Sequence, residues 1–226
     1  MFELILLALL ATPLVGVLFY IGATLLVLPV TGESIFRFTD RPLVEAILAL
    51  VPMRPGQRFY DLGCGDGRML ITAKQRYGVH AVGYEVNLFA YLYARLNVWW
   101  HRAGAEVRFR NFMCADLSDA DVIYCYQASG AIQQLRDKFQ RELRPGTIVI
   151  SNTYTIERWL TPAVVTLGDG IHTRNIYLYV VSHRGCQIPS AMQSQLAQMS
   201  WGEDGSSEPT GGQVHAARSL FPGGHE

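Results

Sequence analysis

A glycine-rich turn flanked by acidic residues is the part of this 226-residue chain whose residue types and spacing could do chemistry. Gly63, Gly65 and Gly67 alternate within DLGCGDGR, which joins a short apolar stretch to a stretch with helical periodicity. Alternate glycines let the backbone turn tightly and approach a ligand closely. The turn therefore predicts a binding site where a strand of a parallel sheet ends, which is where open α/β sheets hold ligands.

The spacing of the glycines argues against a dinucleotide. A dinucleotide fingerprint starting at Gly63 needs its third glycine at position 68, where this chain has Arg68. Asp61 stands at the mouth of the turn, and its carboxylate would repel a pyrophosphate. The same carboxylate suits a cationic group such as the ammonium of an amino acid.

Two further carboxylates complete the description of the ligand. Glu85 follows Gly67 by eighteen residues and ends the second predicted strand, where an acidic side chain can accept from both hydroxyls of a ribose. Asp116 follows the third predicted strand and can accept from an exocyclic adenine amine. A ligand with an ammonium, a ribose and no phosphate is S-adenosylmethionine. No Cys/His cluster has zinc-ligand spacing, so no metal site is predicted.

Strands that alternate with helices position these residues. The predicted helices cover residues 67–77, 87–104 and 129–143, and the predicted strands cover residues 58–64, 81–86, 107–113, 122–126, 147–152, 164–167 and 175–181. This order predicts an α/β fold with a Rossmann-like, seven-stranded, mostly parallel sheet that ends in an antiparallel C-terminal hairpin. We expect three parts: an anchor over residues 1–30, a catalytic domain over residues 31–184, and a polar, disordered tail over residues 185–226.

The anchor is predicted from hydropathy. Residues 4–30 form a run of 27 residues without a charge. A helix of that length spans roughly 40 Å, which is enough to cross a bilayer. The first basic residues, Arg37 and Arg41, come after the run and none precede it, so the domain is expected to face the cytoplasm. The chain has 19 basic and 19 acidic residues, a balance that argues against a nucleic-acid partner.

The motifs YDLGCGDGR (60–68), VGYEVN (82–87) and ADL (115–117) resemble those of class I S-adenosylmethionine-dependent methyltransferases. DLGCGDGR followed by GYEVN resembles more narrowly the membrane-anchored protein-lysine methyltransferases of the FAM173 type and their bacterial relatives. The resemblance implies that Asn87 joins Asp61, the three glycines, Glu85 and Asp116 in binding the cofactor. It also implies that the methyl acceptor is a lysine of a protein.

The residues expected to face the acceptor follow the fourth and fifth predicted strands. Tyr126 and Asn152 are our candidates, because each could orient a neutral amine through a single hydrogen bond. A membrane-associated protein is the expected substrate, since the anchor confines the site near the bilayer. Two alternatives stay open at this stage. One is a methyltransferase of a membrane-soluble quinone or lipid, and the other is a non-catalytic domain that binds the cofactor as a membrane tether.

Overall fold

The computed structural model describes most of the chain between its two ends, namely residues 12–13, 15–18, 22, 39–168, 173–182 and 215–216. In these ranges, no helix is both long enough and apolar enough to cross a membrane. The predicted anchor over residues 1–30 and the predicted tail over residues 185–226 fall largely outside the described residues.

The described residues form one mixed sheet of eight strands. The strands are β1 (Arg58–Leu62), β2 (His80–Glu85), β3 (Glu106–Phe109), β4 (Val122–Cys125), β5 (Ile148–Asn152), β6 (Ala163–Leu167), β7 (Arg174–Val180) and β8 (His215–Ala216). Their order is β3-β2-β1-β4-β5-β7-β6-β8. β1 to β5 pair in parallel, and β7 and β6 add the antiparallel hairpin. The predicted seven-stranded sheet is confirmed, and the two-residue β8 extends its edge.

The predicted extent of the third strand was wrong. A strand was expected over residues 107–113, but β3 ends at Phe109 and residues Phe112–Cys114 form a 3₁₀-helix. Asn111 caps this short helix, since its side chain accepts from the Met113 amide at 2.9 Å. An Asn side chain that bonds the backbone two residues on ends a strand in this way. The apolar character of Phe112 and Met113 hid that turn from the hydropathy pattern.

Four α-helices follow the N-terminal segment in the described chain: α1 (Arg41–Ala49), α2 (Arg68–Tyr77), α3 (Leu88–Trp100) and α4 (Ser129–Glu142). α2, α3 and α4 were predicted, whereas α1 was missed. α1 has Pro42 in its first turn, where proline is tolerated because that N–H has no helical partner. Its Val44, Ile47 and Leu48 are buried.

The two faces of the sheet are covered by different helices. Neighbouring side chains on a strand point to opposite faces. Phe59 accordingly packs in a core cluster with Leu70 of α2 and residues of α1, whereas Tyr60 packs in a second cluster with Phe139 of α4. The carboxyl ends of the parallel strands lie between these layers, so β1, β2, β4 and β5 all deliver their last residues to one edge.

β2 and α2 pack closely at Gly83. A Cβ at this position would lie 2.5 Å from Leu70 Cδ1 and 2.7 Å from both Cβ and Sγ of Cys64. Real Cβ contacts are longer than this, and both neighbours are held in the core. The absence of a side chain at Gly83 therefore lets Leu70 of α2 and Cys64 of the glycine turn pack against β2.

We expect Gly83→Ala to lower the free energy of unfolding by about 1–3 kcal/mol, because it overpacks a dense core. Urea titration of the full chain in mild detergent would measure the change. Gly130→Ala is the matched control, since a Cβ there has no other atom within 4 Å and the residue lies in α4. That control should keep or raise the stability by about 0.5–1 kcal/mol. Equal stability of the two variants would contradict the packing role of Gly83.

Candidate functional site

The glycine turn between β1 and α2 forms the floor of the site. Gly63, Gly65 and Gly67 have φ values of 88°, 54° and 78°, a left-handed conformation that side chains disfavour. The turn is tied to β2, because the amides of Gly63 and Cys64 both donate to the Tyr84 carbonyl, at 2.9 and 3.0 Å. A Cβ on Gly65 would meet no other atom within 4 Å. The turn is therefore fixed from below and open above Gly65.

Asp61, at the end of β1, is a buried carboxylate with an unsatisfied oxygen. It is only 2% exposed, and its Oδ1 has no hydrogen-bond partner among the described residues. Burial raises the pKa of Asp61 well above its usual range, and the nearby carboxylates of Glu85 and Asp66 raise it further. A buried acceptor without a donor is costly. Asp61 thus fits a ligand that brings a cationic donor.

Glu85, at the end of β2, is held by backbone amides. Its Oε2 accepts from Gly65 at 3.0 Å, and its Oε1 accepts from Val86 and Asn87, both at 2.9 Å. Burial raises the pKa of Glu85, and the three N–H donors act against that rise. A carboxylate has about four acceptor positions, so Oε2 keeps room for one more donor. The two ribose hydrogen bonds expected of Glu85 therefore compete with bonds that shape the turn.

Asn87 begins α3 as its N-cap. Its Oδ1 accepts from the amides of Phe89 and Ala90 at 3.0 and 3.2 Å, and its own amide donates to Glu85. The side chain satisfies amides that have no partner inside the helix. Asn87 lies at the predicted site, and the observed contacts make it the residue that fixes the start of α3 against Glu85.

A clamp that the sequence did not reveal joins the glycine turn to the chain before α1. Arg68 Nε donates to both carboxylate oxygens of Asp66, at 3.0 and 2.8 Å. Its Nη1 donates to the carbonyl of buried Thr39 at 2.7 Å. Asn97 of α3 donates to the Asp66 carbonyl at 2.8 Å. Asp66 and Arg68 were visible in the motif, but only the fold brings Thr39 and Asn97 to them.

At β4 and β5, the site is lined by neutral hydrogen-bonding groups. The Tyr124 hydroxyl hydrogen-bonds with the Thr39 side chain and accepts from Asn152 Nδ2 at 3.0 Å. Thr153 donates to Asn152 Oδ1 at 3.0 Å and has an uncommon φ of 75°. A left-handed threonine persists only where neighbouring contacts hold it. Asn152 is 0% exposed, so this residue, which was expected to face the methyl acceptor, lies beneath the surface of the site.

Tyr126 is the other residue that was expected to face the methyl acceptor. It directly follows β4 and is partly exposed. Arg174 of β7 donates to its hydroxyl at 3.3 Å, and the Arg174 guanidinium carbon lies 5.4 Å from the Tyr126 ring centroid. Gln127 donates to the Leu62 carbonyl and covers Gly63. Tyr126 therefore stands at the same edge as the glycine turn, with a cation beside it.

Asp116 lies on an exposed loop that is braced from below. Its Oδ1 accepts from the Ser118 amide at 2.9 Å, and this bond is the main cause that lowers the pKa of Asp116. Buried Lys138 donates to the carbonyl of Ala115 at 2.5 Å and to Glu142 at 2.7 Å. α4 thus holds the loop that presents Asp116, a role for Lys138 that its sequence context did not indicate.

Residues 61–163 match the model of the ANTKMT methyltransferase domain family. A protein-lysine N-methyltransferase from Saccharolobus islandicus (strain REY15A) is 33% identical over 146 residues, which cover 63% of this chain and 91% of that protein. An adenine nucleotide translocase lysine N-methyltransferase from Mus musculus is 34% identical over 149 residues, which cover 65% of this chain and 63% of the relative.

The chain belongs to the ANTKMT methyltransferase family. A solved RNA methyltransferase from Salinibacter ruber in complex with S-adenosyl-L-homocysteine has the same fold, with a TM-score of 0.60 and 29% identity over 68% of this chain and 97% of that chain. The protein is therefore a methyltransferase that uses S-adenosylmethionine, as the sequence predicted.

The geometry of this ANTKMT-family site fits that cofactor. S-adenosylmethionine carries an ammonium and a sulfonium, and the edge formed by β1 and β2 holds three carboxylates, on Asp61, Asp66 and Glu85. Asp66 is neutralised by Arg68, whereas the Oδ1 of Asp61 has no partner in the described structure. The open space above Gly65 supplies the room. The unsatisfied buried acceptor is the feature that favours a cationic ligand over a neutral one.

We expect Asp61→Asn to weaken S-adenosylmethionine binding roughly fivefold to 150-fold, because a charge-assisted bond worth about 1–3 kcal/mol becomes a neutral one. The affinity of the wild-type protein should also decrease as the pH is lowered. The ammonium favours the ionised carboxylate, so binding at a pH below the raised pKa of Asp61 must release a proton. That release lowers the affinity by up to about tenfold per pH unit. Titration calorimetry between about pH 5 and pH 8 would measure both effects.

Asp137→Asn is the matched control, because Asp137 is exposed on α4 and pairs with its neighbour Arg136. It should leave the affinity and its pH dependence unchanged. In the Asp61→Asn variant, the affinity for S-adenosylmethionine should depend much less on pH in the acidic range. If the affinity of this variant still falls as the pH is lowered, another group titrates on binding.

Proposed function

We propose that this protein transfers the methyl group of S-adenosylmethionine to a lysine side chain of another protein. The observation that carries the proposal is the likeness to the Saccharolobus protein-lysine N-methyltransferase, 91% of whose length this chain covers. The relative from Mus musculus is also named as a lysine N-methyltransferase. The family match over residues 61–163 includes the glycine turn and the strand ends that follow it.

In this proposal, the chain's carboxylates hold the cofactor. Asp61 accepts from the ammonium, Glu85 accepts from the ribose through its remaining position, and Asp116 accepts from the adenine amine. Gly63, Gly65 and Gly67 let the ligand approach the backbone. Asn87 holds the start of α3 next to Glu85, because it caps the helix and donates its amide to Glu85. The bound cofactor supplies a methyl group already activated on sulfur, so the protein contributes mainly proximity and alignment.

A lysine attacks as the neutral amine, and the charge around Tyr126 favours that form. The guanidinium of Arg174 lies beside Tyr126. A nearby cation disfavours an ammonium, and desolvation in the crevice acts in the same direction. The Tyr126 hydroxyl then orients the amine lone pair toward the methyl group. Asn152, being fully buried, supports this from below by bonding Tyr124 and is a positioning residue.

We also propose that residues 4–30 anchor the protein as a single helix, with the catalytic domain in the cytoplasm. The run has no charge and is long enough to cross a bilayer. Where it is described, the run is helical, and Val15, Val17 and Leu18 are more than half exposed. Exposed apolar side chains on a helix suit a lipid environment better than water. The substrate proposed on this basis is a membrane-associated protein.

The acceptor class can be identified by following the label. Full-length protein is incubated with membranes and S-adenosylmethionine carrying a labelled methyl group, and the protein, lipid and RNA fractions are counted separately. We expect the label in protein, and mass spectrometry should locate it on the ε-nitrogen of lysine. The formal charge balance of zero gives no electrostatic basis for binding RNA.

Asp61→Asn, which is expected to bind the cofactor poorly, is the negative control for this assay. Label in the lipid extract would replace the lysine proposal with methylation of a quinone or lipid. Cofactor binding without any transfer would favour a non-catalytic tether. An extraction of the same membranes at alkaline pH tests the anchor separately, because a spanning protein stays in the pellet.

We expect Tyr126→Phe to lower turnover about threefold to tenfold, as removal of one hydrogen bond made to the reacting amine would. Cofactor affinity should change little, because the hydroxyl serves the transfer step. Single-turnover methylation together with calorimetry would measure the two quantities. Tyr177→Phe is the matched control, since Tyr177 is a partly buried tyrosine on β7 that packs against the core. Equal turnover of both variants would remove Tyr126 from the proposal.

A further inference from the structure

α3 is the helix whose surface is not explained by the fold or by the methyltransferase site. Its buried side holds Ala90, Ala94 and Val98. Its opposite side exposes Leu88, Leu92, Tyr93, Leu96, Trp99 and Trp100, which we call the α3 face. At roughly 100° per residue these six side chains fall on one arc of about 140°. A helix that is apolar on both sides needs a second partner besides its own core.

The exposure of the α3 face is large. Trp99 and Trp100 are 70% and 73% exposed, and Leu92 and Leu96 are each more than half exposed. Contiguous apolar surface of this kind marks an interaction site, whereas single exposed apolar residues are ordinary. The face begins at Leu88, directly after the Asn87 cap, so it starts at the crevice edge of the sheet and runs along the domain.

The charged side chains of α3 and of the turn that follows it have one sign. Between Glu85 and Glu106 the chain has no acidic residue, and its charged side chains there are Arg95 and Arg102. Glu106 is already paired with Arg108, at 2.7 Å. Arg95 lies 5.7 Å from the Tyr91 ring centroid and bonds its hydroxyl, which leaves other guanidinium donors. The polar rim of the face therefore suits an anionic partner.

A groove joins the aromatic and basic parts of this surface. It has a volume of about 780 Å³, and its lining includes Arg95, Trp99, Trp100 and Arg102. Arg102 has a left-handed φ of 48° and lies in the turn after α3. Tryptophan next to arginine at the end of an apolar helix is typical of segments that lie in the interface between lipid headgroups and acyl chains.

We propose that the α3 face docks on an anionic lipid bilayer, with its leucines and tryptophans in the headgroup region and with Arg95 and Arg102 on lipid phosphates. Proximity supports this choice of partner. Nine Cα–Cα steps separate residue 30 from Thr39, and they reach at most about 32 Å. Thr39 is linked through Arg68 and Asp66 to Asn97 of α3. The inference uses the proposed anchor only for this proximity.

Docking in this orientation has a consequence for the active site. α3 begins at the edge where β2 ends, so a bilayer lying on the α3 face runs past the carboxyl edge of the sheet. A lysine side chain that protrudes slightly from the membrane surface would then lie next to the carboxyl edge of the sheet and could enter the crevice. The anchor alone would leave the domain free to rotate, whereas the α3 face fixes which side of the domain meets the lipid.

Depth-dependent quenching of tryptophan emission tests the proposal on the full chain reconstituted in vesicles. The vesicles contain phosphatidylcholine with or without phosphatidylglycerol, and lipids brominated near the headgroup act as the quencher. The contribution of the α3 face is the emission that a Trp99→Phe/Trp100→Phe variant lacks. We expect brominated lipid to quench this emission in anionic vesicles, and iodide in the water to quench it weakly.

Charge variants test the role of the rim. Arg95→Gln/Arg102→Gln should weaken the docked state about thirtyfold in anionic vesicles, since each arginine near such a surface strengthens binding about fivefold. Arg136→Gln/Arg141→Gln on α4 is the matched control and should leave quenching unchanged. Quenching that the Arg95/Arg102 variant and high salt both leave unchanged would overturn the role of the arginines.

Other occupants of the α3 face give distinct results, and each overturns the proposal. Strong iodide quenching with no effect of brominated lipid means that the face stays in water. Shielding from both quenchers that weakens on dilution in detergent means a second copy of the chain. Shielding that persists at every dilution in detergent means a segment of the same chain. Failure of the anchor is separate, because it appears as release of the protein by alkaline extraction.

Discussion

The arrangement of the site depends on one electrostatic constraint, which is that three carboxylates meet at one buried edge of the sheet. Like charges in a region of low dielectric repel strongly, and each one needs donors or protons. Glu85 takes three backbone amides and Asp66 takes Arg68, but Asp61 has no donor for its Oδ1 in the described structure. Without cofactor, its raised pKa means that stability declines as the pH rises through that pKa. A cationic ligand relieves this repulsion.

The groups that satisfy the other two carboxylates also hold the site together. The amide that Gly65 donates to Glu85 joins the turn after β1 to the end of β2. Arg68 joins Asp66 to Thr39, and Thr39 reaches Tyr124 on β4. Asp66 is therefore linked through Arg68 to the segment before α1. This connectivity explains why the chain before the first helix is part of the site although it carries none of the recognised motifs.

Features formed by residues close together in the sequence could be predicted from it, whereas features formed by distant residues could not. The strand that contains Asp61, the glycine turn and the helix after it are consecutive in the sequence, so spacing alone predicted them. Gly83, by contrast, matters because of Leu70 and Cys64, and nothing near it in the sequence indicates that contact. α1 was missed because it has only nine residues, which is too short for a clear helical periodicity. Buried Asn152 bonds Tyr124, and only the folded sheet brings these two residues side by side.

The two halves of the crevice differ in charge, and this difference gives the proposed transfer its direction. The edge formed by β1 and β2 is acidic and suits a cofactor that is cationic overall. The edge formed by β4, β5 and β7 has neutral hydroxyls and amides with Arg174 beside Tyr126. A charged lysine would be repelled there, whereas a neutral amine would keep the hydrogen bond and present its lone pair. The sequence motifs specify the acidic half closely, whereas the acceptor half is defined by contacts between strands, which is why the cofactor could be inferred before the acceptor.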